Sequence, residues 1–412
     1  MAQINITLNQ EEILQLLAEN REESFRKLLE ESLNCILKAE SAAQIGADRY
    51  KRSDERTDSR NGVRERPLQT RIGRIVLQVP RHRNQPFRTM IFDNYSRSEA
   101  ALIASMAEMV VNGVSTRKVS TVMETLCGTN YSKSTVSEVC RDLEKDVKAF
   151  RERPLTEEYP FLMVDATYFK VRENHRITSK ALMIALGTTR EGKREILGFG
   201  VYSAETTVTW EDFFSSLKKR GLHGLCLITS DAHEGLRRAM DNAFPEVPWQ
   251  RCQTHFSRNV LDQAPKKYQA AIHDELLKMY HCRTIEEARK MRDTIIAEYA
   301  DVAEKSMRCL DEGFESVMSV LALPESMRRF FRTSNHLERL NKELKRRSNV
   351  IGVFPNEASL LRLMGSVLLE QNEKCSAHSK VHFKTEDAQK LDSSKDQFRA
   401  LALEQHKLLV AA

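Results

Sequence analysis

At 412 residues, 41% hydrophobic and 30% charged, the chain is too long for one ordinary core and reads as a soluble protein of two or three domains. No apolar run approaches the roughly 18 residues of a membrane span, so a membrane partner is excluded, and the start MAQINITLNQEEIL lacks the pattern of a secretory signal, so a cytoplasmic location is expected. The eight cysteines carry no C-x-x-C pairs, which argues against a disulfide framework or a zinc ribbon, and the net charge of +6 is small but unevenly spread.

Residues 9 to 38 place Ile13, Leu17, Phe25, Leu28, Leu29, Leu33, Ile36 and Leu37 at helical spacing in a charged background. That spacing predicts an amphipathic helical segment over 1–45, packed either on the next domain or on a second copy of the chain. Between 49 and 88, twelve basic residues face four acids, a net +8 that exceeds the charge of the whole chain. A field of that sign suits a polyanion, although a solvated charged loop has the same composition. Arg60, Arg64, Arg66, Arg81 and Arg83 are the candidate DNA contacts. Turn signals at Asn61-Gly62 and Gly73, with Ile75, Leu77 and Val79 alternating before Pro80, predict a hairpin with basic arms.

Residues 99 to 145 read as helical, and within them GVSTRKVSTVMETLCGTNYSKSTVSEVCRDL has caps in the right places. Ser115 can start one helix, Gly128 can end it, and Ser132 or Ser134 can start a second that turns Val136 and Val139 inward. Such a pair resembles a helix-turn-helix, which would offer Lys133 and Ser134 to base edges; a plain helical hairpin has the same signals.

From 159 the pattern changes to strands: YPFLMVDATYFKV, SKALMIALGTT and REILGFGVYSA predict an antiparallel meander. A helix closing at Gly221, a short strand LCLITSD, a second helix and a fifth strand in PWQRC then predict a mixed sheet covered by helices. Residues 265 to 330 read as helical throughout, as does NHLERLNKELKRR at 335 to 347, while the last residues thin into the polar stretch KTEDAQKLDSSKDQ.

Three acids stand out. Asp165 interrupts an apolar run, where a carboxylate costs several kcal/mol unless something compensates it. Asp231 ends the fourth predicted strand, as a helix N-cap or as a ligand at a strand end. Glu338 has Lys342 four residues on, the orientation of a surface helix pair. On that helix Leu337, Leu340 and Leu344 form the apolar stripe, and Glu338, Asn341, Lys342 and Lys345 share the polar sector.

Four stretches, VDATYFKVRE (164–173), ITSDAHEGLRRA (228–239), QRCQTHFSRN (250–259) and TSNHLERLNKELKRRSNVIGVFPNE (333–357), resemble the Mutator-type transposases of bacterial insertion sequences, in the group called insertion sequence two-fifty-six. Upstream, DSRNGVRER, VPRHR and NGVSTRKVS also resemble the family, so the likeness spans most of the chain. It implies a DDE-class enzyme whose triad is Asp165, Asp231 and Glu338, holding two Mg²⁺ ions that Mn²⁺ can replace. It also implies strand cleavage at terminal inverted repeats and joining of 3′ ends to target DNA, through a circular intermediate. The implied fold is α+β and multidomain: a helical N-terminal DNA-binding region with a helix-turn-helix, then an RNase H-like core interrupted by an all-helical insertion.

The corresponding segments are 1–45, a basic arm and helix-turn-helix at 46–150, the first part of the core at 155–260, the insertion at 261–330, the closing helix at 331–375 and a tail at 376–412. Cys252 and His255, spaced C-x-x-H, resemble a family motif; without a second ligand pair they read as structural residues near the centre rather than a zinc site. His233 and Arg339 are candidate phosphate or supporting contacts, and Lys342, Lys345, Arg346 and Arg347 read as a DNA cradle around one inward acid. Double-stranded DNA is the expected partner, with a homodimer or larger assembly to hold two ends and a nucleoid-associated location. A DNA-binding regulator that has lost catalysis, or an RNase H-like nuclease without strand transfer, are the competing readings.

Overall fold

A computed structural model describes residues 21–48, 56–70, 73–89, 100–127, 131–141, 143–377, 381–383 and 385–411, which form two compact units divided after Asp142. The expected first helical turns around Ile13 and Leu17, the cap Gly128 and the side chain of Lys133 lie outside what is described.

In the first unit, helix α1 (Arg21–Ile45) lays Leu29, Leu33 and Leu37 against Leu68, Ile75, Leu77 and Val79 of a two-stranded antiparallel hairpin, β1 (Arg60–Thr70) and β2 (Gly73–His82). A two-stranded sheet alone leaves one face wet and its edges unpaired. Helix α1 covers the face, and its polar side chains cap the edge: Val76 N–H donates to Glu30 at 3.1 Å and Gln78 N–H to Asn34 at 2.7 Å. Of the expected stripe, Leu29, Leu33 and Leu37 are thus covered from within, while Phe25 stays exposed. Asn61-Gly62 is not a turn but a bulge inside β1, where the register slips between Arg60 and Val63 and Gly62 takes φ +79°. Glycine suits such a bulge because it adopts positive φ without a Cβ clash.

Three further helices, α2 (Ala100–Val111), α3 (Thr116–Cys127) and α4 (Lys133–Val139), share a core of Leu102, Met106, Val119, Met123, Tyr131 and Val136. Both expected caps are made: Ser115 Oγ accepts from Lys118 N–H at 3.3 Å and Ser132 Oγ from Thr135 N–H at 3.1 Å.

The second unit opens with α5 (Leu143–Glu152) and contains a five-stranded mixed sheet built from β3 (Phe161–Glu173), β4 (Arg176–Thr188), β5 (Arg194–Tyr202), β6 (Leu227–Ser230) and β7 (Trp249–Arg251), in the order β5-β4-β3-β6-β7. Strands β3 to β5 form the expected meander, with Asn174 and His175 at positive φ in the tight first turn. Strand β6 returns parallel to β3 after α6 (Thr207–Lys219), and β7 parallel to β6 after α7 (Glu234–Ala243). Alternation along β3 sends Leu162 and Val164 into a core with Trp210, Phe213 and Phe214 of α6 and Leu236 and Met240 of α7. Phe161, on the opposite face, stacks on Phe331 with ring centroids 3.7 Å apart.

Helices α8 (Gln253–Asp262), α9 (Lys266–Tyr280), α10 (Ile285–Tyr299) and α11 (Glu304–Val317) build a separate core around Phe256, Ile272, Leu276, Ile295, Leu310 and Phe314. The chain then passes through α12 (Glu325–Phe331), α13 (Asn335–Ser348) and α14 (Glu357–Ala377). The polar stretch expected to thin out is instead helical, as α15 (Thr385–Ser393) and α16 (Lys395–Ala411). Ala388, Leu391, Phe398 and Ala402 form a thin buried stripe, while Leu403 and Leu408 stay exposed, and Gln405 accepts from Trp249 N–H at 2.8 Å. A sparse stripe suffices when it docks on an existing core.

Candidate active site

Strand β3 is the central strand, and its parallel register with β6 pairs Met163 with Thr229. Two residues further on, the same register sets Asp165 level with Asp231, which immediately follows β6. Side chains two apart on a strand share a face, so both carboxylates issue from the side that carries Phe161 and faces α12 and α13. Burial, and next the charge of Asp231, push the Asp165 carboxyl up to about 7. Like charges in a partly desolvated place cannot both ionise cheaply. The N-cap position of α7 is His233, without a side-chain cap bond, so Asp231 is not spent as a cap.

Helix α13 brings the third acid, and both its ends are pinned. At its start Ser334 N–H donates to Cys252 Sγ at 3.3 Å and Gln253 N–H to Arg332 O at 3.0 Å. Beyond its end Phe354 bridges to Val171, with Phe354 N–H donating to Lys170 O and Arg172 N–H to Phe354 O, each at 2.8 Å. Leu337 and Leu344 are fully buried and Leu340 half-buried, as the stripe requires. On the adjacent face Asn341 Nδ2 donates to Asp165 Oδ2 at 2.7 Å, and one turn on Lys345 bonds the carbonyl of Tyr168.

Glu338 lies one turn before Asn341 on the same helix. Its ion partner is His255, with Nε2 3.5 Å from Oε1, while Oε1 itself is buried without a hydrogen bond. Cys252 is fully buried; burial works to raise its thiol, but hydrogen bonds from His255 and Ser334 win and hold it down to about 7. His255 is correspondingly raised, first by its bond to Cys252 and then by the charges of Cys252, Glu338 and Asp231. The imidazole therefore feels acids from β6 and α13 at once.

A model of the family described as "Transposase, Mutator family" matches residues 1–377. The chain belongs to the Mutator family of transposases. It is similar to the "Transposase for insertion sequence element IS256 in transposon Tn4001" of Staphylococcus aureus, 40% identical over 378 residues that make up 91% of this chain and 97% of that protein. It is also similar to the "Transposase for insertion sequence element IS1081" of Mycobacterium tuberculosis, 38% identical over 360 residues, 87% of either chain. Among solved structures the "Drosophila P element transposase strand transfer complex" aligns with 78% of this chain and 93% of its own at 10% identity and a TM-score of 0.29, an agreement too low to speak for the fold.

For a Mutator-family transposase, the residues that sequence reasoning missed are informative. Glu205, between β5 and α6, is the main one: burial raises its carboxyl, His233 opposes that, and the Tyr168 hydroxyl bonds to it beside Asp231. Gly235 permits the approach, since a Cβ there would stand 3.0 Å from Thr207 N and 3.1 Å from Glu205 O. A lone acid ahead of a helix cap carries no signal in sequence. His233 lies in the same group, its Nδ1 buried without a hydrogen bond.

The expected DNA contacts divide. Arg64, Arg81, Arg83, Ser134, Arg339, Lys342, Lys345 and Arg346 are exposed, although Lys345 spends its ammonium on Tyr168 and Arg346 on Glu343 at 2.7 Å. Arg60 is half-buried and donates to Ala47 O at 2.7 Å. Arg66 and Arg347 are corrections: both are buried, and Arg347 sits 4% exposed between Glu343 at 2.7 Å and Glu370 at 2.9 Å. Helical periodicity could not separate Arg347 from Arg346, because which flank of a polar sector meets a neighbour depends on how α14 docks.

Proposed function

We propose that this protein is a DNA transposase that binds the terminal inverted repeats of its insertion sequence, cleaves strands there and joins the 3′ ends, with Asp165, Asp231 and Glu338 as its catalytic triad. The observation that carries the reading is the tie between α13 and β3: Asn341 bonds Asp165, and Glu338, one turn earlier, acts together with Asp231 on the charge of His255. The strand order, with an antiparallel meander followed by two parallel strands, supports an RNase H-like core, and the separate core of α8 to α11 supports a helical insertion at 261–330. The paired caps of α3 and α4 support a helix-turn-helix.

The donor set fits magnesium. It consists of hard carboxylate oxygens, and the burial and the repulsion from Asp231 that raise Asp165 are what a divalent cation would offset. Asp165, Asp231 and Glu338 would hold the ions, Mg²⁺ or Mn²⁺. When bound, such ions supply charge stabilisation for an in-line displacement at phosphorus, so no covalent protein nucleophile is required.

The chain's own residues do the rest. Asn341 and the Ala166 N–H, which donates to Oδ1 at 2.9 Å, together fix the rotamer of Asp165. His255 offsets the negative charge that Glu338 and Asp231 bring together. Arg339 and Lys342, exposed on α13, offer cations to DNA phosphates, as do Arg64, Arg81 and Arg83 on the hairpin. Joining needs two ends, so a homodimer or larger assembly on DNA follows; the route through a circular element rests on the family resemblance. The test is Mg²⁺-dependent nicking and joining of DNA carrying the element's own ends, comparing wild type with Asp231→Asn. Joined products lost in the variant are expected; tight binding without cleavage in both would make the protein a DNA-binding regulator.

A further inference from the structure

From sequence alone Cys252 and His255 read as structural residues, because no second pair of ligands stood at suitable spacing. The fold supplies a third donor from 83 residues downstream. One ligand atom each from Cys252, His255 and Glu338 lies within 4.8 Å of the other two, with His255 Nε2 and Glu338 Oε1 at 3.5 Å. A tetrahedral zinc shell has metal–ligand bonds of about 2.0–2.3 Å, hence ligand–ligand edges of about 3.5 Å. One edge already has that length, and the others close with a rotamer adjustment. The sulfur is wholly buried and receives the Ser334 N–H at 3.3 Å, the kind of supporting bond that orients a metal-bound thiolate. Glu338 Oε1, buried and without a hydrogen bond, is the polar atom that such an ion would satisfy.

We propose that Cys252, His255 and Glu338 form a site for a thiophilic divalent cation of the zinc class, distinct from the carboxylate set around Asp165 and Asp231 but sharing Glu338 with it. The donor chemistry separates the two: a thiolate and an imidazole select zinc-class ions, whereas magnesium takes oxygen alone. Three protein donors leave a fourth position for water. Because one carboxylate serves both sites, zinc held by Cys252 and His255 draws Glu338 away from the hard-metal set. Zinc then opposes the magnesium-dependent reaction without touching DNA binding. This consequence rests on the triad reading given above; the site itself does not.

Cobalt is the probe. Titrating Co²⁺ into the reduced full-length protein is expected to give a near-ultraviolet thiolate-to-cobalt band that saturates at one ion per chain and is displaced by Zn²⁺. Cys252→Ala, shown folded by circular dichroism, should lose the band, His255→Gln should weaken it, and Asp231→Asn should keep it. In cleavage assays with saturating Mg²⁺, micromolar Zn²⁺ should inhibit wild type at least tenfold more strongly than Cys252→Ala. Absence of the band in folded wild type, its persistence in Cys252→Ala, or equal zinc inhibition of the two would overturn the proposal. A cobalt band in a protein that never cleaves DNA would leave the metal site standing and remove the transposition reading instead.

Discussion

Asn341 and Asp165, 176 residues apart, are joined by a hydrogen bond of 2.7 Å that ties the polar face of α13 to the central strand of the sheet. Positioning bonds of this kind act through the group they hold, and losing one typically costs about 10–100-fold in activity. Asn341→Ala is expected to lower the rate of strand cleavage within that range while end binding, followed by mobility shift, stays intact. Asn341→Gln should restore little, because its longer chain displaces the donor. Wild-type cleavage in Asn341→Ala would remove the bond from the mechanism.

Asp165 makes the metal-free fold pH-sensitive in a direction fixed by its raised carboxyl. Folded, it titrates near 7; unfolded, near the ordinary 3.8. Between those values the folded state binds more protons, so this group's contribution to stability declines as pH rises from about 4 to about 7 and stays lost above. Asp165→Asn keeps one acceptor, for Asn341, gives up the bond from the Ala166 N–H, and removes the charge. It should therefore raise the stability of the metal-free protein at pH 8, by on the order of 1–2 kcal/mol after allowing for solvent screening, while abolishing cleavage. Thermal melts of both proteins at pH 5 and pH 8 test it: the gap should widen at pH 8.

Glu205 gives a third test. Its carboxyl sits with Tyr168 and His233 beside Asp231, so Glu205→Gln should slow cleavage about tenfold or more and raise the Mg²⁺ concentration needed, with the fold intact. Gly235→Val acts on the same loop from beneath, because the added atoms meet the backbone of Glu205 and Thr207. A loss of about 1–3 kcal/mol in denaturant unfolding is expected there. A cleavage rate in Glu205→Gln that is unchanged across a magnesium titration would leave this carboxylate a bystander.

The basic residues separate into two experimental classes. Neutralising Arg64, Arg81 and Arg83 together should weaken DNA binding and reduce the slope of log affinity against log salt by up to about 3, with no change in melting temperature. Arg347→Met should do the reverse. Removing one partner of a buried ion pair costs about 3–5 kcal/mol when the other is stranded, and less here, because Glu343 keeps Arg346, Glu370 keeps Lys374 and water reaches both acids. Equal salt slopes for wild type and the triple variant would take the hairpin out of the DNA interface.

The sequence by itself determined the strands, because apolar runs of period two or unbroken length leave few alternatives, and it determined that Asp165 is anomalous, because a carboxylate inside such a run needs a reason. It also fixed which stripe of α13 is buried, through Leu337 and Leu344. It misread Asn61-Gly62 as a turn, since a bulge and a turn ask the same φ of glycine and only strand pairing tells them apart. It read residues near the C-terminus as polar coil, since their stripe is too thin to predict a helix without the surface it docks on. What only the tertiary structure decided is which charge meets which. Glu338 had Lys342 within reach along its own helix and turned instead to His255; Arg347 was indistinguishable from Arg346 until α14 brought Glu370; Glu205 met Tyr168 and His233, and Cys252 met Ser334 and Glu338, only across the fold. Periodicity records how a segment faces the core, an average over many contacts. An ion pair or a metal shell depends on a few atoms from distant segments meeting within about 4 Å, and that is settled only when the helices dock.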